Sequence, residues 1–194
     1  MKQGRKISIV SRMFAVLLAV MMVCSNISLP SKAAETVQTI AAWEYKDKDS
    51  APSSLPAGAT SGSGQLNVTG ATYTGYSSKS LAANNWEEEG SWTISEINAE
   101  KYENLTFSAS LRSSNTGAKN FQLEYSLDKG QSWRAVDGGA VEITSTNLTQ
   151  LYKDVKLPAE LSGKNFTLRV KKVGTTSVNG GTVAPTGASN INHI

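Results

Sequence analysis

The chain has 194 residues and a formal net charge of +3, with 39% hydrophobic and 18% charged residues, one cysteine and one histidine. That inventory leaves too few ligands for the usual zinc sites and no partner for a disulfide. The histidine, His193, stands next to the last residue. A serine–histidine engine would rest on that terminal position, so no catalytic residue is assigned and the chain is read as non-enzymatic.

Lys2, Arg5, Lys6 and Arg12 flank the uncharged run Met13–Val23, and a polar stretch then ends in small residues at Ser31 and Ala33. This is the three-part layout of a secretory signal with cleavage after Ala33. Residues 1–33 are therefore expected to be a signal peptide and residues 34–194 a single module. The apolar run falls well short of the roughly 20 residues that cross a bilayer, and no transmembrane segment is expected in the mature chain. Cys24 follows the β-branched Val23, which argues against a lipoprotein site. Five of the 19 basic residues (Lys2, Arg5, Lys6, Arg12 and Lys32) and none of the acidic ones precede the cleavage point. The mature chain then keeps 14 basic against 16 acidic residues, a net charge of −2. The basicity belongs to export, and no specific nucleic-acid binding follows from it. The expected location is secreted, extracellular or cell-surface.

Downstream of the leader, short β-rich runs alternate with Gly, Asn, Ser and Asp clusters, which predicts an all-β, antiparallel two-sheet β-sandwich. Strands are predicted over 39–45, 65–69, 91–97, 105–112, 121–127, 133–136, 141–144, 151–156, 166–173 and 190–194. Ser50–Gly64, rich in Pro, Gly, Ala and Ser, reads as a long surface loop, because the 15 or so residues before it cannot fold alone. In the fourth strand Leu105, Phe107, Ala109 and Leu111 alternate with Thr106, Ser108, Ser110 and Arg112. In the fifth, Phe121, Leu123, Tyr125 and Leu127 alternate with Gln122, Glu124 and Ser126. Phe166, Leu168 and Val170 alternate with Thr167, Arg169 and Lys171. A period of two gives each of these strands one core face and one wet face. The one helical candidate is a turn at 158–162. The last residues, SNINHI, read either as a final edge strand that closes the sandwich or as the cut end of a longer protein.

Ser126–Trp133, SLDKGQSW, matches the S-x-D-x-G-x-x-W pattern called an Asp-box. Asp128 can accept from turn amides, Gly130 can take a positive backbone angle, and Trp133 can pack back on the hairpin. The motif registers two strands and carries no chemistry. Sialidase propellers contain several copies and this chain has one, so sialidase activity does not follow. Glu87-Glu88-Glu89 reads as a solvated loop, with a structural calcium ion the one cofactor for which the sequence leaves room.

Trp43 and Trp92 occupy inward positions of strands and read as core. Trp86, between Asn84-Asn85 and three glutamates, reads as a loop aromatic, and Tyr73 and Tyr76 lie near turn residues. Those three, with Arg112, Ser114 and Asn115 of the polar loop after the fourth strand, are the candidate ligand-binding residues. Arg112 could hold a carboxylate, a phosphate or sugar oxygens. Against this, Arg112 could pair with a neighbouring carboxylate while Asn115-Thr116-Gly117 simply turns the chain.

The segment Arg112–Trp133, RSSNTGAKNFQLEYSLDKGQSW, resembles a β-sandwich accessory module of secreted bacterial proteins, chiefly Gram-positive. Such modules sit beside extracellular nuclease, nucleotidase or metallophosphoesterase domains. IAAWEY (Ile40–Tyr45), the run Ser91–Ser114 and NGGTVAPTGASNI (Asn179–Ile191) extend the resemblance over nearly all of the mature chain. It implies a jelly-roll-like sandwich without catalysis of its own. Relatives tend to show an Arg-Ile-Asp ending where this chain has Asn190-Ile191-Asn192, so no carboxylate role carries over. The expected function is a non-catalytic module accessory to a secreted hydrolase, whose catalytic domain would lie downstream. The alternative is a stand-alone carbohydrate-binding or adhesion protein whose partner is a polysaccharide or cell-surface glycan.

Overall fold

The computed structural model describes residues 37–194, and the expected signal peptide at 1–33 lies outside the described residues. Residues Thr39–Ile194 form one compact unit. Its strands are β1 (Ala41–Ala42), β2 (Ala57–Gly58), β3 (Ser61–Gly62), β4 (Gln65–Thr69), β5 (Thr72–Ser77), β6 (Ser80–Asn84), β7 (Ser91–Asn98), β8 (Thr106–Ser113), β9 (Ala118–Ser126), β10 (Arg134–Glu142), β11 (Thr149–Lys156), β12 (Asn165–Ser177) and β13 (Ser189–Asn192). A six-stranded sheet runs β10-β9-β12-β7-β4-β2 and a five-stranded sheet β11-β8-β13-β6-β5, with β1 and β3 as a small separate pair. From β6 onward the chain mostly changes sheet at each step, which is the jelly-roll-like winding. All strand pairs are antiparallel.

Alternation builds the core. In the six-stranded sheet Leu123, Val170, Trp92 and Val68 lie in one cross-strand row, and Tyr125, Leu168, Ile94 and Leu66 in another. Leu81, Ile191 and Leu111 form the facing row of the five-stranded sheet, each almost fully buried. Rows of large apolar side chains from two sheets interdigitate and leave water, the dominant favourable term for a sandwich without disulfides. Trp43 and Trp92 are in this core as expected.

The structure departs from the predicted strands where pairing is non-local or bulged. The hairpin β5–β6 lies in a stretch with no predicted strand, because a bulge at Thr74 breaks its alternation and its inward positions include the small Ala83. The two runs 133–136 and 141–144 are one strand, β10, interrupted by a register shift between Ala135 and Ala140. Ser50–Gly64 is a connection, as read, but it contains β2 and β3. Leu127 is 39% exposed rather than core-facing, since β9 ends at Ser126 and the turn begins there. The helical candidate is a single 3-10 turn, Ala159–Leu161. Ser189–Asn192 is an interior strand between β6 and β8, not an edge.

Candidate functional site

On the outer face of the six-stranded sheet the wet sides of four strands fall into register. One row is Gln122–Lys171–Ser91–Thr69 and the next is Glu124–Arg169–Thr93–Asn67, read across β9, β12, β7 and β4. At a strand spacing of 4.7–4.9 Å each row extends over about 14 Å. The eight side chains are all polar, and most are half-buried against one another. Thr93 joins Ser91 at 3.3 Å and Thr69 at 3.4 Å through its hydroxyl.

Charge on this face is closed into a network. Arg169 donates from Nε to Glu124 Oε2 at 2.6 Å, and its Nη2 lies 2.6 Å from the same oxygen and 3.6 Å from Glu89 Oε2. Lys171 Nζ lies 2.7 Å from Glu89 Oε1. The hydrogen bond from Lys171, followed by the charges of Lys171 and Arg169, holds the Glu89 carboxyl below its usual range. Glu89 arrives from the β6–β7 loop, whose backbone is pinned where Lys172 N donates to Gly90 O at 2.9 Å. Gly90 is needed there, because a Cβ would sit 2.7 Å from Gly70 O and 2.9 Å from the Trp86 ring.

Trp133 borders the same face. The Arg169 guanidinium lies 4.3 Å from its ring centroid, a cation–π contact. The Asp-box turn delivers the indole. Ser132 N and Oγ donate to Asp128 at 2.8 and 2.5 Å, Ser126 Oγ donates to Asp128 at 2.7 Å, and Gly130 N donates to Ser126 Oγ at 2.7 Å. Lys129 and Gly130 take positive φ values of 58° and 87°. These bonds hold Asp128 well below the ordinary 3.8, at about 2, with the Ser132 hydroxyl as the largest cause.

The expected ligand residues lie elsewhere and do not form one site. Trp86 is only 8% exposed, donates from Nε1 to Ala83 O at 2.9 Å, and meets Trp92 and Phe121 edge-on at 5.9 Å. It is a core residue, because the β6–β7 loop folds it inward. A shallow cleft of ≈ 270 Å³ touches it, with Asn85, Glu87, Val183, Ala184 and Pro185. Tyr73 and Tyr76 are half-buried on β5, and their hydroxyls donate to Pro52 O at 2.7 Å and Tyr45 O at 3.2 Å. Ser114 and Asn115 fasten the β12–β13 connection: Ala188 N donates to Ser114 Oγ at 3.0 Å and Asn179 N to Asn115 O at 2.9 Å. That segment turns the chain.

Arg112 stands on the outer face of the five-stranded sheet, in a row with Asn190 and Ala82. It donates from Nε to Thr146 O at 2.7 Å and has no carboxylate within ion-pair distance among the described residues. Its expected carboxylate partner is replaced by a loop carbonyl. Asn190 Oδ1 beside it is buried and has no hydrogen-bond partner among the described residues. No group of three or more His, Cys, Asp or Glu side chains that could hold a metal ion occurs among the described residues.

Glu124, Arg169 and Lys171 are not among the sequence candidates, and Glu89 enters the sequence reading only as part of a solvated acidic run with room for calcium. The signal was present in the alternation of Gln122 and Glu124 and of Arg169 and Lys171, but nothing local says that β9 and β12 are neighbours. No protein-family model matches this sequence, and no curated protein matches it. Among solved structures the chain is similar to a family 29 carbohydrate-binding module from Piromyces equi, with 11% identity and a TM-score of 0.43 over 79% of this chain and 85% of that one. It is also similar to a point mutant of a family 29 carbohydrate-binding module, with 14% identity and a TM-score of 0.37 over 67% of this chain and 77% of that one.

Proposed function

We propose that this protein is a non-catalytic, extracellular carbohydrate-binding β-sandwich, and that glycan lies across the outer face of the six-stranded sheet. The observation that carries this reading is the pair of four-strand polar rows bordered by the half-buried Trp133. Sugars need a dense, fixed array of donors and acceptors beside an apolar surface for their C–H faces. Hydroxyls on Thr69, Ser91 and Thr93, amides on Asn67 and Gln122, and the charged groups of Glu124, Arg169 and Lys171 supply that array from rigid strands. The ionic contacts set those charged groups in place before any ligand arrives, which lowers the ordering cost of binding.

A glycosidase would need a carboxylic acid with a raised pKa. Glu89 and Glu124 both contact Arg169, but Glu89 is shifted the other way. His193 is exposed near the end of β13 and has a positive φ of 50°. The narrower role, accessory to a secreted phosphoesterase-type hydrolase, is supported by the sequence resemblance alone.

Native electrophoresis through gels containing soluble polysaccharides tests the reading. The protein is expected to be retarded by at least one of them without releasing reducing sugar. Trp133→Ala is expected to weaken that retardation by roughly tenfold or more, the scale of one lost aromatic anchor. Full retardation by the Trp133→Ala variant, or liberation of sugar by the parent protein, would overturn it.

A further inference from the structure

Resting on the glycan-face reading above, we propose that Glu89 is a specificity-determining residue: it neutralises the cations of the face and reserves that face for uncharged polysaccharide. Four charged side chains share the surface, two cations (Arg169, Lys171) and two anions (Glu89, Glu124). Glu124 is the nearer partner of Arg169, at 2.6 Å against 3.6 Å for Glu89. Among the described residues Lys171 has a single carboxylate within ion-pair distance, Glu89 at 2.7 Å. The Glu89 side chain is 65% exposed, while those of Lys171 and Arg169 are 21% and 13% exposed, so Glu89 is the more solvent-facing member of each of these contacts.

An acidic glycan approaching the face must therefore break the Lys171–Glu89 contact and lie against two carboxylates, which like-charge repulsion opposes. A neutral glycan meets no such term. Its hydroxyls donate to the outer lone pairs of Glu124 and accept from Asn67, Thr93 and the cation donors left over. The adjacent Lys172 does not restore a positive surface, because it is 3% exposed and its Nζ donates to Gly174 O at 3.0 Å. The backbone that carries Glu89 is pinned at Gly90, and the contact with Lys171 at 2.7 Å places its carboxylate over β12.

The experiment compares the parent protein with Glu89→Gln in native gels containing glucomannan or mixed-linkage β-glucan on one side and polygalacturonate or alginate on the other. Exposed ion pairs add little to stability, so the variant is expected to fold, and its circular dichroism spectrum is recorded alongside. The parent protein is expected to be retarded by a neutral polymer and not by the acidic ones. Glu89→Gln is expected to keep neutral binding within about twofold and to gain retardation by polygalacturonate of roughly threefold or more. That gain should fade as salt approaches about 0.15 M, where the Debye length is near 8 Å. Stronger retardation of the parent protein by acidic polymers, or a Glu89→Gln variant that gains nothing at low salt, overturns the inference and leaves carbohydrate binding standing. No retardation of either protein by any polymer removes the glycan reading itself and the inference with it.

Discussion

Trp86 holds the opposite of the place its sequence neighbourhood suggests, and Trp133 does more than pack back on its own turn. Trp133 belongs to a turn motif, yet its ring lies beside the polar face with Arg169 against it. Trp86 follows two asparagines and precedes three glutamates, yet it packs between Trp92 and Phe121. Loop membership is readable from composition, whereas the direction in which a loop side chain points depends on close backbone approaches such as Gly90 to Gly70. The two tryptophans should therefore fail differently. Trp86→Ala empties a large buried volume, which costs roughly 3–5 kcal/mol. In a domain of this size that corresponds to a drop in thermal midpoint on the order of 10 °C. Calorimetry is expected to show that drop, while glycan retention well below the new midpoint stays within about twofold of the parent. Loss of retention by a Trp86→Ala protein that melts normally would place the ligand at the cleft beside Pro185 instead.

The β9–β10 hairpin is the element most legible from sequence, because its determinants are local. Alternation from Phe121 to Tyr125 sets the strand face, and Ser126, Asp128, Gly130 and Ser132 satisfy one another within a few residues. The β5–β6 hairpin is illegible by comparison: its bulge shifts the period at Thr74 and its turn residues, Ser78 and Lys79, adopt positive φ without a glycine. For the first hairpin a pH dependence follows. The Asp128 carboxyl is held at about 2 in the folded chain against an ordinary 3.8. A depressed folded value means that the ionised carboxylate stabilises the fold above the ordinary value, and that this contribution disappears as pH falls toward the folded one. Asp128→Asn removes the titration and keeps the side-chain shape. The gap in thermal midpoint between parent and Asp128→Asn is expected to be constant from neutral pH to about pH 4 and to close between about pH 4 and pH 2. Glu89 and Glu160 are also held low, but both proteins retain them, so their contribution cancels in the difference. A gap that persists unchanged at pH 2 would show that the turn does not depend on the ionised carboxylate.

The two-sheet architecture is readable from alternation and turn spacing, while the pairing that assembles it is not. SNINHI reads correctly as a strand, but its partners, β6 and β8, begin more than 70 residues earlier, and no local signal ranks an interior position above an edge. The structure places β13 between them, with Ile191 fully buried and Asn192 tied to the other end of the unit. Tyr45 N donates to Asn192 Oδ1 at 3.1 Å, Asn192 Nδ2 donates to Tyr45 O at 2.9 Å, and Trp43 and Ile194 exchange backbone hydrogen bonds at 3.1 and 3.2 Å. The strand thus holds the five-stranded sheet together and anchors the segment carrying the buried Trp43 and Tyr45. A chain ended after Ala188 loses more than a peripheral strand. Burial of Ile191 alone is worth roughly 2–5 kcal/mol, and the ladder groups left unpaired on β6 and β8 each add about 1–3 kcal/mol where they stay buried. Natural domains hold only about 5–15 kcal/mol in total. The shortened chain is therefore expected to lack a cooperative thermal transition and near-ultraviolet tryptophan signal, and to be cut rapidly by protease under conditions that leave the parent intact. A shortened chain that melts cooperatively would mean that β6 and β8 find each other without β13, and that this strand is peripheral to the fold.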